Sequence, residues 1–173
     1  ASYTDGQNTA ESSTSAATSS VANVNDAGTG LSLASDGDVA DPDEDDALSV
    51  SGTLADEDGV TNAAPTYVWK RAGTAIGSAT SSSYTLVQAD VGAIISVVIS
   101  YTDDQSESNT ITLTAASDVD NVNDLPTSAA VTVAGTEDTL HTYGTGNFAF
   151  TDVDGDSITR IKITILESAG ALE

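Results

Sequence analysis

A stretch of sequence that the chain contains twice constrains its fold most strongly. Residues 2–26 begin with Ser-Tyr-Thr-Asp and end with Asn-Val-Asn-Asp, and residues 100–124 begin and end with the same tetrapeptides. The two copies align without a gap at an offset of 98 residues, and similarity at one fixed period indicates a repeat array. We therefore expect the closing strands of one repeat in 1–26, a complete repeat in 27–124 and the beginning of another unit in 125–173. On this frame we expect the chain to be an excerpt of a longer protein.

The charge of the chain limits its partners. It has 27 acidic residues against 4 Lys and Arg, a formal net charge of −23. Nucleic acid is disfavoured because its binding requires cationic side chains that displace counterions, and an anionic membrane surface is disfavoured on the same ground. Such repulsion destabilises a compact chain unless something neutralises it. Because the acids cluster between strand-like runs, the pattern favours cation binding over a disordered tail or a salt-adapted surface.

The residue types that are absent bear on localisation. The chain has no cysteine and no methionine, and an oxidising compartment permits disulfides without requiring them. No apolar run is long enough to span a bilayer, so we expect no membrane insertion. We associate acidic, cysteine-free repeats rich in Ser and Thr with secreted bacterial proteins.

Short runs that alternate apolar and polar residues predict an all-β fold. Such runs cover residues 47–54, 66–71, 83–87 and 93–101, and turns containing glycine separate them. Residues 110–115 of the second copy alternate likewise, and we expect the first copy to take the same shape. We find no convincing helical stretch. Several short strands with such turns between them favour a β-sandwich.

Two details favour an immunoglobulin-like sandwich. Trp69, the single tryptophan, lies in the third predicted strand, where such sandwiches bury one between their sheets. Asp90-Val91-Gly92 precedes the most apolar strand and resembles the corner before strand F, although the tyrosine of that corner and both cysteines are absent. We expect Trp69 to be a core residue. Its expected neighbours are Tyr67, Leu86, Ile95 and Val97.

Residues 125–173 contain strand-like runs of their own. Apolar residues alternate with polar ones at 131–133, at 148–150 and at 161–165. Because this part does not repeat the sequence of 27–124, we expect a second repeat type that ends before completion.

Two long segments resemble tandem repeats of giant bacterial surface proteins that type I systems secrete. Residues 66–103, TYVWKRAGTAIGSATSSSYTLVQADVGAIISVVISYTD, resemble one of their immunoglobulin-like repeats. Residues 121–164, with NVNDLPTSAAVTVAGTEDT followed by FAFTDVDGDSITRIKIT, resemble their cadherin-like repeats. The resemblance implies tandem Ig-like and cadherin-like β-sandwich repeats that calcium rigidifies. It also implies an extracellular localisation at the bacterial cell surface, in an adhesin or a biofilm protein.

The chain departs from the family pattern in two places. Gly28 follows Asn-Asp-Ala where the family usually has proline, and we expect this to loosen the junction. The loop 34–46 is more acidic than expected of the first repeat type.

Alternating carboxylates give the strongest indication of a ligand. In Asp152-Val153-Asp154-Gly155-Asp156, three carboxylates surround a glycine that permits a tight turn. This spacing can wrap one hard cation in oxygen ligands, and packed carboxylates repel one another unless a cation lies among them. The sequence therefore predicts that Asp152, Asp154 and Asp156 bind one Ca²⁺, with a solvated turn as the alternative. The motif is not an EF-hand, because strands flank it and the closing Glu is missing.

The linkers between units supply further candidate Ca²⁺ ligands. In the cadherin-like arrays that the chain resembles, the Asn and Asp of a linker share calcium with a Glu near the base of a module. The candidates at the second junction are Asn121, Asn123, Asp124, Glu137 and Asp138. The candidates at the first junction are Asn23, Asn25 and Asp26, with Asp36, Asp38, Asp41 and Asp43 as their partners. Asn-Asp is also common as a plain turn, but its recurrence at the repeat period favours a site.

Two acidic runs are weaker candidates. Asp56 and Asp58 belong to Asp-Glu-Asp-Gly, which either holds an ion or forms a solvated loop. The same two alternatives apply to residues 41–46, where the solvated loop is favoured.

The motifs argue against an enzyme. A Ser-His-Asp triad would have to use His141, the only histidine, and no Gly-x-Ser-x-Gly elbow is present. Carboxylate pairs abound, but nothing suggests the aromatic-lined cleft of a glycosidase. We predict a structural extender module, bound to adjacent repeats of the same protein or to neighbouring subunits. The alternatives are a subunit of an extracellular fibre joined by strand addition and a module that binds a glycan or a protein. The sequence does not identify the distal ligand, the molecule that such an extended protein would bind at its far end.

Overall fold

Short antiparallel strands make up the fold, which we describe from a computed structural model over residues 1–136 and 138–162. The all-β fold class is as the sequence predicts. The strands are β1 Ser2–Thr4, β2 Ala10–Ser12, β3 Thr29–Ser35, β4 Ala47–Ala55, β5 Thr66–Arg71, β6 Thr74–Ala75, β7 Ser83–Thr85, β8 Ile94–Thr102, β9 Ser108–Asp118, β10 Thr127–Ala129 and β11 Ala149–Thr151. Two single-turn 3₁₀ segments, Gln88–Asp90 and Thr145–Asn147, are the helical elements of the described residues.

Strands β3 to β9 form a sandwich of two antiparallel sheets. One sheet has the order β3-β4-β7 and the other has the order β6-β5-β8-β9. Val97 in β8 lies opposite Trp69 of β5 on one side and opposite Leu113 of β9 on the other. The edges of the two sheets meet where β3 lies against β9. The first linker contacts the start of β9, where Asn25 donates to Asn109, and the second linker follows the end of β9, so the two linkers lie at opposite ends of the sandwich.

Trp69 is fully buried in the core, as predicted. Its indole Nε1 donates a hydrogen bond of 2.9 Å to the carbonyl of Ser81, so the one polar atom of the side chain has a partner. The buried residues of the core are Leu48, Trp69, Leu86, Ile95, Val97, Ile99 and Val119, and Tyr67 packs against them. The alternating side chains of β5 and β8 thus supply the inner face of one sheet.

The strands predicted at 47–54, 66–71 and 93–101 are confirmed to within one residue at each end. The strand predicted at 83–87 ends earlier, at Thr85. Leu86 still bonds to the segment before β4, since its N–H donates to the carbonyl of Asp46 at 2.9 Å, and the chain then enters the 3₁₀ segment Gln88–Asp90.

The first copy of the repeated stretch takes only part of the predicted shape. Strands β1 and β2 form a hairpin, but no strand covers residues 13–26. In the second copy, β9 is long because β8 pairs with it from Ser108 to Asp118. In the first copy, β1 and β2 pair only from Ser2 to Thr4 and from Ala10 to Ser12.

After the second linker, β10 and β11 form another antiparallel pair. The strand predicted at 131–133 is wrong, since residues 130–136 are not in a strand. The strand predicted at 148–150 lies one residue later, as β11. Ile161 lies outside any strand, and the predicted Ile163 and Ile165 lie outside the described residues.

Candidate metal sites at the two ends of the sandwich

Three aspartates meet beside the first linker and form what we call the N-terminal acidic site. Asp56 and Asp58 follow β4, and Asp103 lies in the turn between β8 and β9. One carboxylate oxygen from each of the three lies within 4.8 Å of the others. Asp103 is buried, and its Oδ1 accepts the main-chain N–H groups of Gln105 and Glu107 at 2.9 Å each. These bonds hold the Asp103 carboxylate in place at the end of the sandwich.

The first linker contacts this site directly. The N–H of Asp26 donates to Oδ2 of Asp58 at 3.0 Å. The Asn25 amide donates to Oδ1 of Asn109 at 2.9 Å, and Asn109 in turn donates to Oδ2 of Asp103 at 2.9 Å. The predicted candidates Asn25, Asp26, Asp56 and Asp58 therefore lie together, and the predicted Asn23 is exposed.

Tyr101 orients Asp56 from within the sandwich. Its hydroxyl donates to Oδ2 of Asp56 at 2.6 Å. Burial, together with this hydrogen bond, raises the pKa of Tyr101 to about 12. A Cβ on Gly28 would overlap the Tyr101 hydroxyl oxygen. Gly28 thus leaves room for the ring that positions Asp56.

A second group, the C-terminal acidic site, consists of Glu44, Asp124 and Asp154. One carboxylate oxygen from each of the three lies within 4.8 Å of the others. Glu44 is only 6% exposed, and its N–H donates to the carbonyl of Asp120 at 2.9 Å. Burial raises the pKa of Glu44, and the neighbouring carboxylates of Asp124 and Asp45 raise it further. A cation among these oxygens would oppose both effects.

The turn 152–156 presents Asp154 to this second site. Oδ1 of Asp152 accepts the N–H groups of Asp154 at 3.0 Å and of Asp156 at 3.3 Å. The N–H of Asp124 donates to Oδ2 of Asp154 at 2.6 Å. Asp154 belongs to the three-carboxylate group, whereas Asp152 shapes the turn. That all three aspartates bind one ion stays a prediction.

The two sites share one local geometry. The N–H of a linker aspartate donates to an Asp-x-Asp-Gly turn in both, from Asp26 to Asp58 and from Asp124 to Asp154, over 32 and 30 residues. In each turn the glycine has a positive φ, 91° at Gly59 and 81° at Gly155. The different spacing hides this equivalence in the sequence. The shared Asp-x-Asp-Gly about 30 residues after each linker is the signal that could have revealed it.

The acidic loop between β3 and β4 lies at the other end of the sandwich from its predicted partners. Oγ of Ser117 donates to Oδ1 of Asp41 at 3.3 Å, and Asp43 forms a parallel bridge with Asp120. The predicted pairing of this loop with the first linker is therefore wrong, because β3 carries the chain to the far end before the loop begins. Two of its carboxylates cap main-chain N–H groups, Asp36 that of Ala47 at 2.7 Å and Asp38 that of Ala40 at 2.9 Å.

The other candidates of the second junction have mixed surroundings. Asn121 Oδ1 lies 3.0 Å from the side-chain nitrogen of Gln88, and the Asn123 amide donates to the carbonyl of Asp124 at 2.9 Å. Asp138 is exposed, with a φ of 59°. Glu137 lies outside the described residues. Their roles as ligands stay predictions.

Sequence reasoning missed Asp103 and Glu44 as members of these groups. Asp103 gave no local signal, because it meets Asp56 and Asp58 only through the fold. Glu44 lies inside the acidic run 41–46, and its burial depends on the pairing of this run with Asp120. Both groups hold oxygen atoms alone, which suits a hard cation, and they leave the identity of the metal open.

Comparisons with known proteins assign no family. No protein-family model matches the chain, and neither a curated protein nor a solved structure is significantly similar to it. Across residues 1–136 and 138–162, no helix has the length and apolarity that crossing a membrane requires.

Proposed function

We propose that this chain is a calcium-binding structural module, in which ions at the two linkers hold successive β-sandwich units in line. One observation carries the proposal. At each end of the sandwich, a linker aspartate lies hydrogen-bonded to an Asp-x-Asp-Gly turn, beside a carboxylate from another part of the chain. An ion in either group would therefore connect a linker to folded strands.

The chemistry of the two groups favours calcium. Ca²⁺ takes about six to eight oxygen ligands in a flexible geometry, whereas Mg²⁺ demands a near-ideal octahedron. Carboxylates from separate loops, with waters in the remaining positions, suit the less demanding ion. The net charge of −23 repels within the compact chain, and bound divalent cations would reduce this repulsion.

The two sites support one composite arrangement for a longer array. The N-terminal acidic site has a linker, the turn of the following unit and that unit's Asp103. The C-terminal acidic site has a linker, the turn of the following unit and Glu44 from the preceding unit. In an array, every junction would combine all four contributions. We propose that the chain forms part of such a rigid array in a secreted bacterial adhesin or biofilm protein at the cell surface.

Small-angle X-ray scattering of the chain, in calcium and in chelator at equal ionic strength, tests the proposal. We expect a longer and more rigid particle with calcium, because the ion would fix β10, β11 and the turn at 152–156 against the sandwich. Asp124→Asn should abolish the part of the calcium effect on the scattering curve that comes from the C-terminal acidic site. Asp38→Asn, an acid of the same loop as Glu44 but outside both groups, is the matched control and should leave it intact. Identical curves with and without calcium would contradict the proposal.

A further inference from the structure

The hairpin β1–β2 reproduces the hairpin of β8 and β9 in its register. Tyr3 lies opposite Glu11, and Tyr101 lies opposite Asn109. Both members of the first pair are 98 residues before those of the second, which is the sequence period. Residues 1–13 therefore form the closing hairpin of a sandwich.

The turns of the two hairpins also agree. Oδ1 of Asp5 accepts the N–H groups of Gln7 at 3.0 Å and of Thr9 at 2.7 Å, as Oδ1 of Asp103 does for the residues two and four positions later. A residue with positive φ follows in each turn, Asn8 at 66° and Ser106 at 71°. Asp5 is thus placed in its hairpin as Asp103 is placed in the sandwich.

The strands β10 and β11 correspond to the opening strands of the sandwich. Thr127 lies opposite Thr151 just before the turn that starts at Asp152, as Thr29 lies opposite Ala55 just before the turn that starts at Asp56. The threonine hydroxyl donates to the carbonyl opposite in both pairs, at 3.3 Å and 3.5 Å. The chain thus carries an opening hairpin at one end and a closing hairpin at the other.

A groove lined by both apolar and polar side chains lies beside the turn at 152–156. It has a volume of about 510 Å³, and Phe148, Phe150, Ile158 and Ile161 are among its lining residues. Ile161 is 52% exposed. In the complete sandwich, a β8–β9 hairpin contributes Tyr101 and Asp103 to the turn that follows β4. Among the described residues, no hairpin of this kind contributes to the turn that follows β11.

From this correspondence we infer that copies of the chain associate head to tail, with residues 1–13 of one copy docked on β10, β11 and the turn at 152–156 of the next. The complete sandwich is the template for the contact. Asp5 of one copy then takes the position of Asp103 and completes the C-terminal acidic site of the other copy, beside Asp154. Tyr3 takes the position of Tyr101, and its hydroxyl, which donates to Glu11 in the single chain, exchanges this partner for Asp152 on docking.

The association depends on a divalent cation, and in this respect the inference rests on the proposed function. Asp5 would add a fourth carboxylate to Glu44, Asp124 and Asp154, and unneutralised carboxylates at this spacing repel one another. The alternative occupant of the groove is a following repeat of the same polypeptide, which would present the same kind of hairpin.

Sedimentation velocity of the 173-residue chain over a concentration series, in calcium and in chelator at equal ionic strength, tests the inference. We expect oligomers that grow with concentration in calcium and a monomer in chelator. Asp5→Asn keeps the oxygen that accepts the turn hydrogen bonds but removes the charge, and should weaken association by about tenfold or more. Asp36→Asn, also an acid that accepts a main-chain N–H, is the matched control and should associate like the unmodified chain.

A chain that lacks residues 1–13 gives the second arm of the test. It should not associate with itself, but it should cap and shorten the oligomers of the full chain, because it still presents the groove. A chain that calcium stabilises against unfolding but that stays monomeric at every concentration would overturn the head-to-tail contact and leave the proposed function standing. Oligomers that persist without residues 1–13 would also overturn it. Equal association in calcium and in chelator would overturn the ion-dependent contact. The proposed function is tested separately, by comparing the free energy of unfolding of the monomer in calcium and in chelator.

Discussion

Replacing Asp90 with alanine should destabilise the sandwich more than removing any one of the groups that donate a hydrogen bond to Asp90. The Asp90 carboxylate is fully buried before β8. It accepts Nε of Arg71 at 2.6 Å, the hydroxyl of Tyr84 at 2.8 Å and the N–H of Val87 at 2.9 Å. Asp90→Ala leaves all three donors without this acceptor, whereas Tyr84→Phe removes one donor and keeps the ring that contacts Trp69.

The hydrogen bonds set the magnitude of the difference. Removing one partner of a buried ion pair costs about 3–5 kcal/mol in the free energy of unfolding, because the other charge remains unpaired. The Arg71 side chain is 33% exposed and can turn to water, so we expect the lower half of that range, about 3–4 kcal/mol, for Asp90→Ala. A hydrogen bond to a charged group contributes about 1.5–3 kcal/mol, so Tyr84→Phe should cost about 2 kcal/mol.

Urea unfolding followed by tryptophan fluorescence measures both values, since Trp69 is the single tryptophan and lies in the core. The slope of the free energy against urea should be unchanged in both variants if the exposed surface on unfolding is the same. An Asp90→Ala variant no less stable than Tyr84→Phe would refute the reasoning.

Three other residues give sharp expectations. The raised pKa of Glu44 means that the folded chain binds this proton more tightly than the unfolded chain does. Without metal, the stability of the unmodified chain should therefore fall as the pH rises from the ordinary carboxyl range through the raised pKa. Glu44→Gln should flatten this pH dependence, measured by thermal melting between pH 4 and 7. Ultraviolet titration should show Tyr101 ionising near pH 12 in the folded chain, and any stability from its neutral form should be present below pH 10 and lost as the pH rises toward 12; ionisation at pH 10 would show that the ring is not buried against Asp56. Gly28→Ala should cost about 1–3 kcal/mol through overlap with Tyr101, whereas Gly6→Ala, with open space around it, should cost much less in the same urea assay.

The sequence predicted the strands that are buried on one face and paired on both sides. In β8, Ile95, Val97 and Ile99 are fully buried, and the residues between them are not, so the period of two is clear. The alternation at 131–133 is just as regular, but it forms no strand because pairing, and not the pattern alone, makes a strand. In the first copy of the repeated stretch, the strands likewise cover only the residues that pair with each other, Ser2–Thr4 and Ala10–Ser12.

The candidate sites were predictable where the ligands lie together in the sequence. The turn at Asp154 and the linker aspartates have local spacing that indicates cation chemistry. Asp103 reaches its site because β8 runs along the sandwich and ends beside the turn that follows β4. Glu44 lies at the second linker because β3 first carries the chain to that end of the sandwich. Contacts of this range depend on topology, which residue spacing does not encode.

The stability of the chain in calcium tests the central claim most directly. Ligand binding to the folded state adds RT ln(1 + [L]/Kd), so calcium at about ten to a hundred times Kd should add about 1.4–2.7 kcal/mol for each site. For extracellular modules, Kd lies at about 10⁻⁴–10⁻³ M. Urea unfolding in about 10 mM calcium, which is about ten to a hundred times this Kd, and in chelator, with ionic strength held equal, should show this gain. Asp58→Asn should remove the part that the N-terminal acidic site contributes, and Asp38→Asn should remove none. Equal free energies of unfolding in calcium and in chelator would contradict the account.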